Sequence, residues 1–301
     1  MPIIIFCEDP LNRNQPEDIY QAEATTAQAA GFDYALINLE ALIHEHNATK
    51  AVRRVPSTTE ETTALYRGWM LKPDDYTRLY DALLQKGIRL INNPVAYKHC
   101  HYFPESYDII KHKTPRSVWL PVDESFEASS ITPLLTPFGN NPIIVKDYVK
   151  SQKYYWYEAC FIPNASDLEA VHKTVTRFLE LQDSHLNDGL VFREYVELEP
   201  LTTHSKSDLP LTKEFRVFVF NGTPLVVTEY WEEGDYQGHT PPLAAFTEEM
   251  HAIQSTFYTM DIAKQQNGAW LIIELGDGQV AGLPERIDPH VFYQKLAEMI
   301  W

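Results

Sequence analysis

The sequence predicts two folded parts, an N-terminal α/β domain over residues 1–116 and a larger α+β body over residues 117–301. Two observations predict this division. The first part alternates strand-like and helical segments, a pattern that favours a parallel sheet with right-handed crossovers. The second part is rich in strand-like runs joined by short turns that contain Gly or Pro, which favours antiparallel pairing.

The N-terminal part opens with a β-α-β pattern. "PIIIFC" (2–7) is an apolar run typical of a buried strand, "DIYQAEATTAQAAG" is helical up to Gly31, and "DYALINL" is a second strand. A further unit follows, with a strand in 62–71, a helix over 72–87 that has Pro near its start, and the strand "IRLIN" (88–92). Residues 93–116 are interrupted by prolines and are expected to form the domain junction.

The body contains further strand-like runs and helical segments. Helices are expected over 166–182, with Ser166 as the N-cap, over about 244–256 and at the C-terminal end. The strand-like runs are "SVWLP", "NPIIVKDYV", "GLVFREYVEL", "KEFRVFVFNG", "TPLVVTEYWE", "FYTMDIAK" and "AWLIIEL".

Composition and missing motifs exclude several classes of function. The formal net charge of −17 argues against generic binding to a phosphate backbone, which depends on clustered Lys and Arg, although a local basic groove remains compatible with it. The three widely spaced cysteines predict neither a disulfide framework nor a zinc site. GxxxxGK[ST], GxGxxG, HExxH and GxSxG motifs are absent. No apolar run approaches the roughly 20 residues that span a bilayer, and we expect a cytoplasmic protein without membrane contact.

Charged residues inside otherwise apolar strand-like runs are the candidates for chemistry. A buried charge costs several kcal/mol unless it is paired or binds a ligand, so a set of them indicates a site or a salt-bridge network. Side chains alternate along a strand, so Glu214 and Arg216 share one face. The residues of this kind are Lys146, Arg193, Glu194, Glu214, Arg216, Asp261 and Glu274.

Two of these carboxylates are expected to face each other. "FYTMDIAKQQNGAWLIIELGDG" is typical of a hairpin with its turn near "QQNG", which places Asp261 close to Glu274. Facing carboxylates repel unless a cation lies between them, and Mg²⁺ prefers carboxylate and phosphate oxygens. Lys146, Arg193 and Arg216 would then contact phosphates. These residues predict either a Mg-nucleotide site or a structural salt-bridge network.

The same segments resemble the ATP-grasp superfamily. "NPIIVKDYVKSQK" resembles its lysine-bearing strand and the loop that follows, "GLVFREYVEL" its hinge strand beside the adenine, and "MDIA" with "LIIELGDG" its acidic metal hairpin. More narrowly, the sequence is similar to the clade named for two arginines and one lysine, which includes a eukaryotic assembly factor for translation initiation factor 2. Lys146, Arg193 and Arg216 match that name.

The resemblance implies an architecture and a set of roles. Residues 1–116 would be a pre-ATP-grasp domain, and 117–188 and 189–301 the two lobes of an ATP-grasp body with antiparallel sheets. Catalytic roles would fall to Lys146, Arg193 and Arg216. ATP would contact these three together with Lys153, Glu194, Tyr195, Val196 and Glu214, and Mg²⁺ would be held by Asp261, Glu274 and Asp277.

Two positions depart from the superfamily pattern. The Asn that usually follows two residues after the metal-binding Glu is Gly276 here, so Asp277 is the candidate to supply the missing oxygen. The loop over the phosphates is often glycine-rich, whereas here it contains Lys150, Ser151 and Lys153. Lysine side chains can cover phosphates by charge where glycine would present backbone N–H groups.

The resemblance implies an ATP- and Mg²⁺-dependent ligase. Such an enzyme would activate a carboxylate as an acyl-phosphate and join it to an amine or another nucleophile, with a peptide or protein as the expected acceptor. Two alternatives stay open, an ATP-dependent RNA ligase in RNA repair and an ATP-binding assembly factor that docks a partner protein without turnover.

Overall fold

A computed structural model describes residues 2–205 and 210–300. The N-terminal strands form a parallel sheet in the order β2-β1-β3-β4. Apolar cores cover both faces of this sheet, which explains why β1 is an unbroken apolar run. The elements of this part are β1 (Ile3–Cys7), α1 (Asp18–Ala29), β2 (Asp33–Ile37), α2 (Leu39–Ile43), α3 (Ala48–Ala51), β3 (Thr62–Arg67), α4 (Pro73–Leu84) and β4 (Ile88–Leu90).

Two helices and a first antiparallel sheet follow. The sheet has the order β5-β8-β6-β7 and packs one face against α8. The N-cap of α8 is Asp167, which accepts a hydrogen bond from the Ala170 N–H, so the prediction of Ser166 was wrong by one residue. The elements are α5 (Pro94–His101), α6 (Phe103–Ile110), β5 (Ser117–Pro121), α7 (Ile131–Leu134), β6 (Ile143–Asp147), β7 (Phe161–Ile162), α8 (Leu168–Gln182) and β8 (Gly189–Glu194).

The remaining strands form a hairpin and a second antiparallel sheet of order β12-β11-β13-β14. One face of this sheet packs against the parallel sheet and α10, and the other against α5, α6 and α9. The elements are β9 (Pro200–Thr203), β10 (Pro210–Thr212), β11 (Glu214–Phe220), β12 (Thr223–Glu229), α9 (Thr247–Ala252), β13 (Phe257–Lys264), β14 (Trp270–Asp277) and α10 (Pro289–Ile300). Residues 206–209 and the expected helical position of Trp301 lie outside the described residues.

The predicted fold class is confirmed, because a parallel α/β sheet precedes two antiparallel sheets. The predicted boundaries after residues 116 and 188 stay predictions. Strand β8, which we placed in the second lobe, pairs with β5 and β6 in the first antiparallel sheet. Within residues 2–205 and 210–300, no helix has the length and apolar character that crossing a membrane requires.

The segment after β14 is held against the parallel sheet by a buried arginine. Arg67, at the end of β3, donates from Nη1 to the carbonyls of Gly278 (2.8 Å), Gln279 (3.1 Å) and Ala281 (2.8 Å). Its Nε contacts Glu23 at 2.5 Å. The Gln279 side chain accepts from the Tyr66 N–H. The parallel sheet therefore positions the chain where it leaves β14.

Candidate active site between the two antiparallel sheets

Three charged side chains lie in one row across the second antiparallel sheet. Arg216 on β11 is the register partner of Asp261 on β13, and Asp261 is the register partner of Glu274 on β14. Arg216 donates from Nε to Oδ1 of Asp261 at 2.9 Å and from Nη2 to Oδ2 at 2.7 Å. The structure thus confirms the predicted hairpin and the predicted pairing of its two carboxylates.

Lys146 reaches this row from the first antiparallel sheet. Its Nζ donates to Oε1 of Glu274 at 2.6 Å. The Lys146 side chain is 7% exposed and that of Glu274 is 42% exposed, so the carboxylate lies at the edge of an opening. Burial would raise the pKa of Glu274, but the nearby Lys146, Arg216 and Arg193 outweigh it and the pKa is lowered. Glu274 is therefore ionised at neutral pH.

The donor set in this row fits a Mg²⁺ ion bound together with a nucleotide. Mg²⁺ is usually held by one or two carboxylates plus substrate phosphates and water, and Asp261 and Glu274 supply two adjacent carboxylates. Burial raises the pKa of Asp261 in spite of its contact with Arg216, so an added cation beside it would be stabilising. Within the described ranges, no group of three or more His, Cys, Asp or Glu side chains is arranged to hold a metal alone.

The structure does not bring Asp277 into this row. Side chains alternate along β14, so Glu274 and Gly276 share one face while Asp277 points to the other. Its carboxylate is fully buried, accepting from Asn92 Nδ2 at 2.6 Å and from the Gln279 N–H at 2.9 Å. Burial raises the pKa of Asp277 to about 7, against the opposing effect of these hydrogen bonds.

Arg193 is also directed away from the row. Its Nη1 donates to the Ile273 carbonyl at 2.5 Å, and Nη2 donates to the Ile272 carbonyl at 3.0 Å and to Oγ1 of Thr114 at 2.5 Å. The register of β14 against β13 shifts between Glu274 and Ile272, which leaves Ile273 without a partner residue on β13. Arg193 thus satisfies carbonyls at this bulge, and burial lowers its pKa to about 10.

The predicted positions for the adenine lie at the end of β8. The Glu194 N–H bonds to the Arg116 carbonyl and the Tyr195 N–H to the Pro142 carbonyl. The Tyr195 ring packs 5.1 Å from the ring of Phe161. Glu194 and Val196 are half-buried in the same segment. Their contact with ATP stays a prediction.

Among sequence families, residues 137–296 match the ATP-grasp domain model for family 3 of the clade named for two arginines and one lysine. The chain belongs to this ATP-grasp family. The match covers more than half of the chain and includes the second antiparallel sheet and strands β6, β7 and β8 of the first, with Lys146, Arg193, Arg216, Asp261 and Glu274. The predicted superfamily is confirmed, and so, at the level of the family, is the prediction of an ATP-dependent ligase.

Solved ATP-grasp structures share the fold over the whole chain. D-cycloserine synthetase DcsG is 13% identical with a TM-score of 0.58, over 98% of this chain and 99% of that one. D-alanine–D-alanine ligase from Bacillus anthracis, complexed with ATP, is 16% identical with a TM-score of 0.56, over 100% and 96%. ATP-grasp ligase PsnB, complexed with minimal precursor, Mg and ADP, is 13% identical with a TM-score of 0.55, over 99% and 96%. No curated protein matches the chain by sequence.

In this ATP-grasp chain a cavity of about 320 Å³ opens beside the row. Arg216 lies 4.8 Å from the Tyr230 ring and Lys153 lies 4.8 Å from the Trp231 ring. Glu214 accepts from Oγ1 of Thr212 at 2.5 Å, and burial raises its pKa to about 6. The cavity is lined by Lys153, His204, Leu211, Arg216, Tyr230, Trp231, Glu232, Glu233 and 282–284.

Sequence reasoning missed two groups of residues around the site. Tyr230 and Trp231 place aromatic faces under two cations, and their only signal was their position at the end of a strand beside the charged run. His101 lies beside Lys146 and Glu274, and burial lowers its pKa to about 4, so it is neutral at pH 7. No spacing among the histidines indicated it.

Proposed function

We propose that the chain is a Mg²⁺- and ATP-dependent ligase that activates a carboxylate as an acyl-phosphate and transfers the acyl group to an amine or another nucleophile of a peptide or protein. The observation that carries this proposal is the row Arg216–Asp261–Glu274 with Lys146 reaching it from the opposite sheet. Cations and carboxylates meet there at the edge of a cavity, as a Mg-nucleotide site requires.

The residues of the row have distinct parts in the proposed reaction. Lys146 and Arg216 neutralise the phosphate oxygens of ATP, and Lys153 can reach them from the loop after β6. Asp261 and Glu274 would hold Mg²⁺, which would supply positive charge to offset that of the transferred phosphoryl group. Arg193 acts through β14, because it secures the bulge next to Glu274. Asp277 has no part in this arrangement.

The bonds that form and break involve only the substrates. An oxygen of the substrate carboxylate attacks the γ-phosphorus, the bond to the β-phosphate oxygen breaks and ADP leaves. The amine then attacks the acyl carbon, phosphate leaves with the electron pair of the C–O bond, and the amine loses a proton to solvent. No nucleophile of the protein is needed, in agreement with the buried state of all three cysteines.

A peptide or protein acceptor is supported by a fold neighbour. PsnB is described in complex with a precursor peptide and a nucleotide analogue, and it covers nearly the whole of this chain. Its sequence identity of 12% supports a shared fold alone. The acceptor class of this chain is therefore a proposal.

The proposal is tested by calorimetric titration of ATP, with and without Mg²⁺, into the wild type and Glu274→Gln. We expect Mg²⁺-dependent binding in the wild type that weakens at least about tenfold in the variant. Glu169→Gln, an exposed carboxylate on α8, is the matched control and should bind as the wild type does. Absence of binding in folded wild type would contradict the proposal.

Product analysis separates the remaining functions. ADP and phosphate release that depends on added peptide supports the ligase. AMP release that depends on RNA would support the RNA ligase instead. Tight Mg-ATP binding without release under either condition would favour the assembly factor.

A further inference from the structure

A basic pocket lies at the carboxyl ends of β1 and β2, apart from the row described above. It is a cavity of about 220 Å³ lined by Glu8, Arg13, Asn38, Lys50, Ala51, Arg53 and Arg54. Four of these seven residues are cations, on a chain whose formal net charge is −17. Local concentration of one sign against the overall charge indicates an attraction for ligands of the opposite sign.

The charges of the basic pocket are only partly neutralised by the protein itself. Glu8 is 5% exposed and its carboxylate lies 3.7 Å from Arg13 Nε and 3.5 Å from Arg54 Nη1. Lys50 pairs with Glu45 at 2.6 Å. Arg53 is exposed and has no side-chain partner among residues 2–205 and 210–300. Four cations against two carboxylates leave two positive charges for a ligand.

A buried carboxylate and a half-buried amide hold the floor of the pocket in place. Asn38 Nδ2 donates to Oε1 of Glu8 at 2.6 Å, while Asn38 Oδ1 caps α2 by accepting from the Ala41 N–H. The Glu8 N–H bonds to the Ile37 carbonyl at the end of β2. The cations therefore surround a sheet edge whose position is fixed by hydrogen bonds.

The basic pocket shares its sheet edge with the segment that leaves β14. Phe6 of β1 is the register partner of Arg67 of β3, and Arg67 holds the carbonyls of 278–281. Adjacent strands are about 4.8 Å apart, so β2 and β3 lie about 10 Å apart at this edge. In open α/β sheets, ligands bind at the carboxyl ends of the strands where the strand order reverses, and the pocket lies at the same ends, one strand away from the reversal between β1 and β3.

We propose that the basic pocket binds acidic side chains of the acceptor peptide and so anchors it beside the active site. This inference rests on the proposed ligase function. Arg guanidinium groups match carboxylates through two parallel hydrogen bonds. The described residues that line the pocket include no aromatic ring on which a base could stack, whereas recognition of single-stranded RNA depends on such stacking.

Fluorescence anisotropy of a short labelled polyglutamate peptide tests the proposal. The wild type should bind it at low ionic strength, and a polyglutamine peptide of the same length should not bind. Arg13→Gln/Arg53→Gln removes two exposed charges of the pocket and should weaken binding about fivefold or more. Arg89→Gln/Arg177→Gln removes the same charge from exposed ion pairs elsewhere and should change binding less than about twofold.

Each result of these binding experiments either supports or contradicts the proposed peptide site. Equal loss in both double variants, equal binding of polyglutamine, or absence of polyglutamate binding overturns the proposal. Pocket-dependent binding of an oligouridylate that displaces polyglutamate would assign the pocket to RNA instead. Mg-ATP titration of the same variants separates this inference from the ligase proposal, because pocket variants should bind Mg-ATP as the wild type does. Failure of Mg-ATP binding in every variant, with peptide binding intact, would contradict the ligase function and leave the pocket as a site for acidic peptides that are not acceptors.

Discussion

Lys146 and Glu274 join the two antiparallel sheets through a single ion pair of 2.6 Å. The contact connects β6 with β14, two strands that belong to different sheets. Because the lysine is buried and the carboxylate is half-exposed, the carboxylate can accept a further cation while Lys146 stays in place or turns to a phosphate. The charges that would bind the nucleotide therefore also connect the two sheets.

Replacing Lys146 should weaken ATP binding whether or not Mg²⁺ is present. Lys146→Met removes a positive charge from the phosphate-facing side but leaves both carboxylates, so we expect about a tenfold loss of affinity or more with the Mg²⁺ dependence retained. Calorimetry measures both quantities. Lys173→Met, an exposed lysine on α8, is the control. Loss of the Mg²⁺ dependence itself in Lys146→Met would contradict the assigned division of roles.

Removing Arg193 should destabilise the fold. Arg193→Ala leaves the Ile273 carbonyl without its buried donor, leaves the Ile272 carbonyl with the Thr114 hydroxyl alone, and opens a cavity, so we expect a loss of about 2–4 kcal/mol in the free energy of unfolding. Urea denaturation followed by circular dichroism measures it. Arg116→Ala, at an exposed site, should change it by less than about 0.5 kcal/mol. Similar small losses in both variants would show that the bulge does not depend on Arg193.

The contribution of Asp277 to the free energy of unfolding should decrease as the pH rises. Its pKa is raised to about 7 in the folded state from 3.8, so between these values the folded state binds a proton that the unfolded state has lost. The contribution to stability is present in full below pH 3.8. It declines by up to about 1.4 kcal/mol per pH unit until it is lost near pH 7.

Asp277→Asn isolates this contribution. The lowered pKa of His101, about 4, acts in the opposite sense between pH 4 and 6.5, so the useful quantity is the difference between variant and wild type. We expect the free energy of unfolding of Asp277→Asn relative to the wild type to rise from about pH 4 to about pH 7. Urea titrations at several pH values measure it, and a difference independent of pH would refute the assignment.

The three thiols should resist modification in the folded protein. Cys7, Cys100 and Cys160 are buried, and burial raises the pKa of each, to about 12 for Cys7 and Cys160. Since the thiolate is the reactive form, a thiol-specific chromogenic reagent should react negligibly at about pH 8 in buffer and with three thiols in denaturant. Rapid reaction of one thiol in the folded protein would show local opening around it.

Much of the fold and half of the site were predictable from local patterns. Gly268 has a φ of +88° in the turn between β13 and β14, which explains why "QQNG" indicated the hairpin and hence the pairing of Asp261 with Glu274. The alternation that placed Glu214 and Arg216 on one face also holds. Both features depend on residues that are close together along the chain, so the sequence shows them directly.

The remaining site residues depend on packing between sheets. Both faces of β8 are buried, so its pattern does not show whether Arg193 meets a cavity or the backbone of β14. For Asp277 the sequence did contain a signal, because a residue three positions after Glu274 along a strand lies on the opposite face of the sheet. The superfamily pattern, which has Asn two positions after the metal-binding Glu, obscured this signal. The basic pocket unites Arg13 with Arg53, which are far apart along the chain and meet only through the order of β1 and β2.

The contacts of Arg67 and Gln279 between the parallel sheet and the segment after β14 affect how the protein folds and unfolds. These two side chains tie the parallel sheet to the end of β14, and the Phe218, Phe257 and Phe292 rings fill a core shared by the same two sheets. A chain lacking the parallel sheet would leave three carbonyls without their buried donor and would expose an apolar surface to water. The smallest autonomous folding unit therefore includes the N-terminal strands, and the ATP-grasp part should melt with them in one cooperative transition.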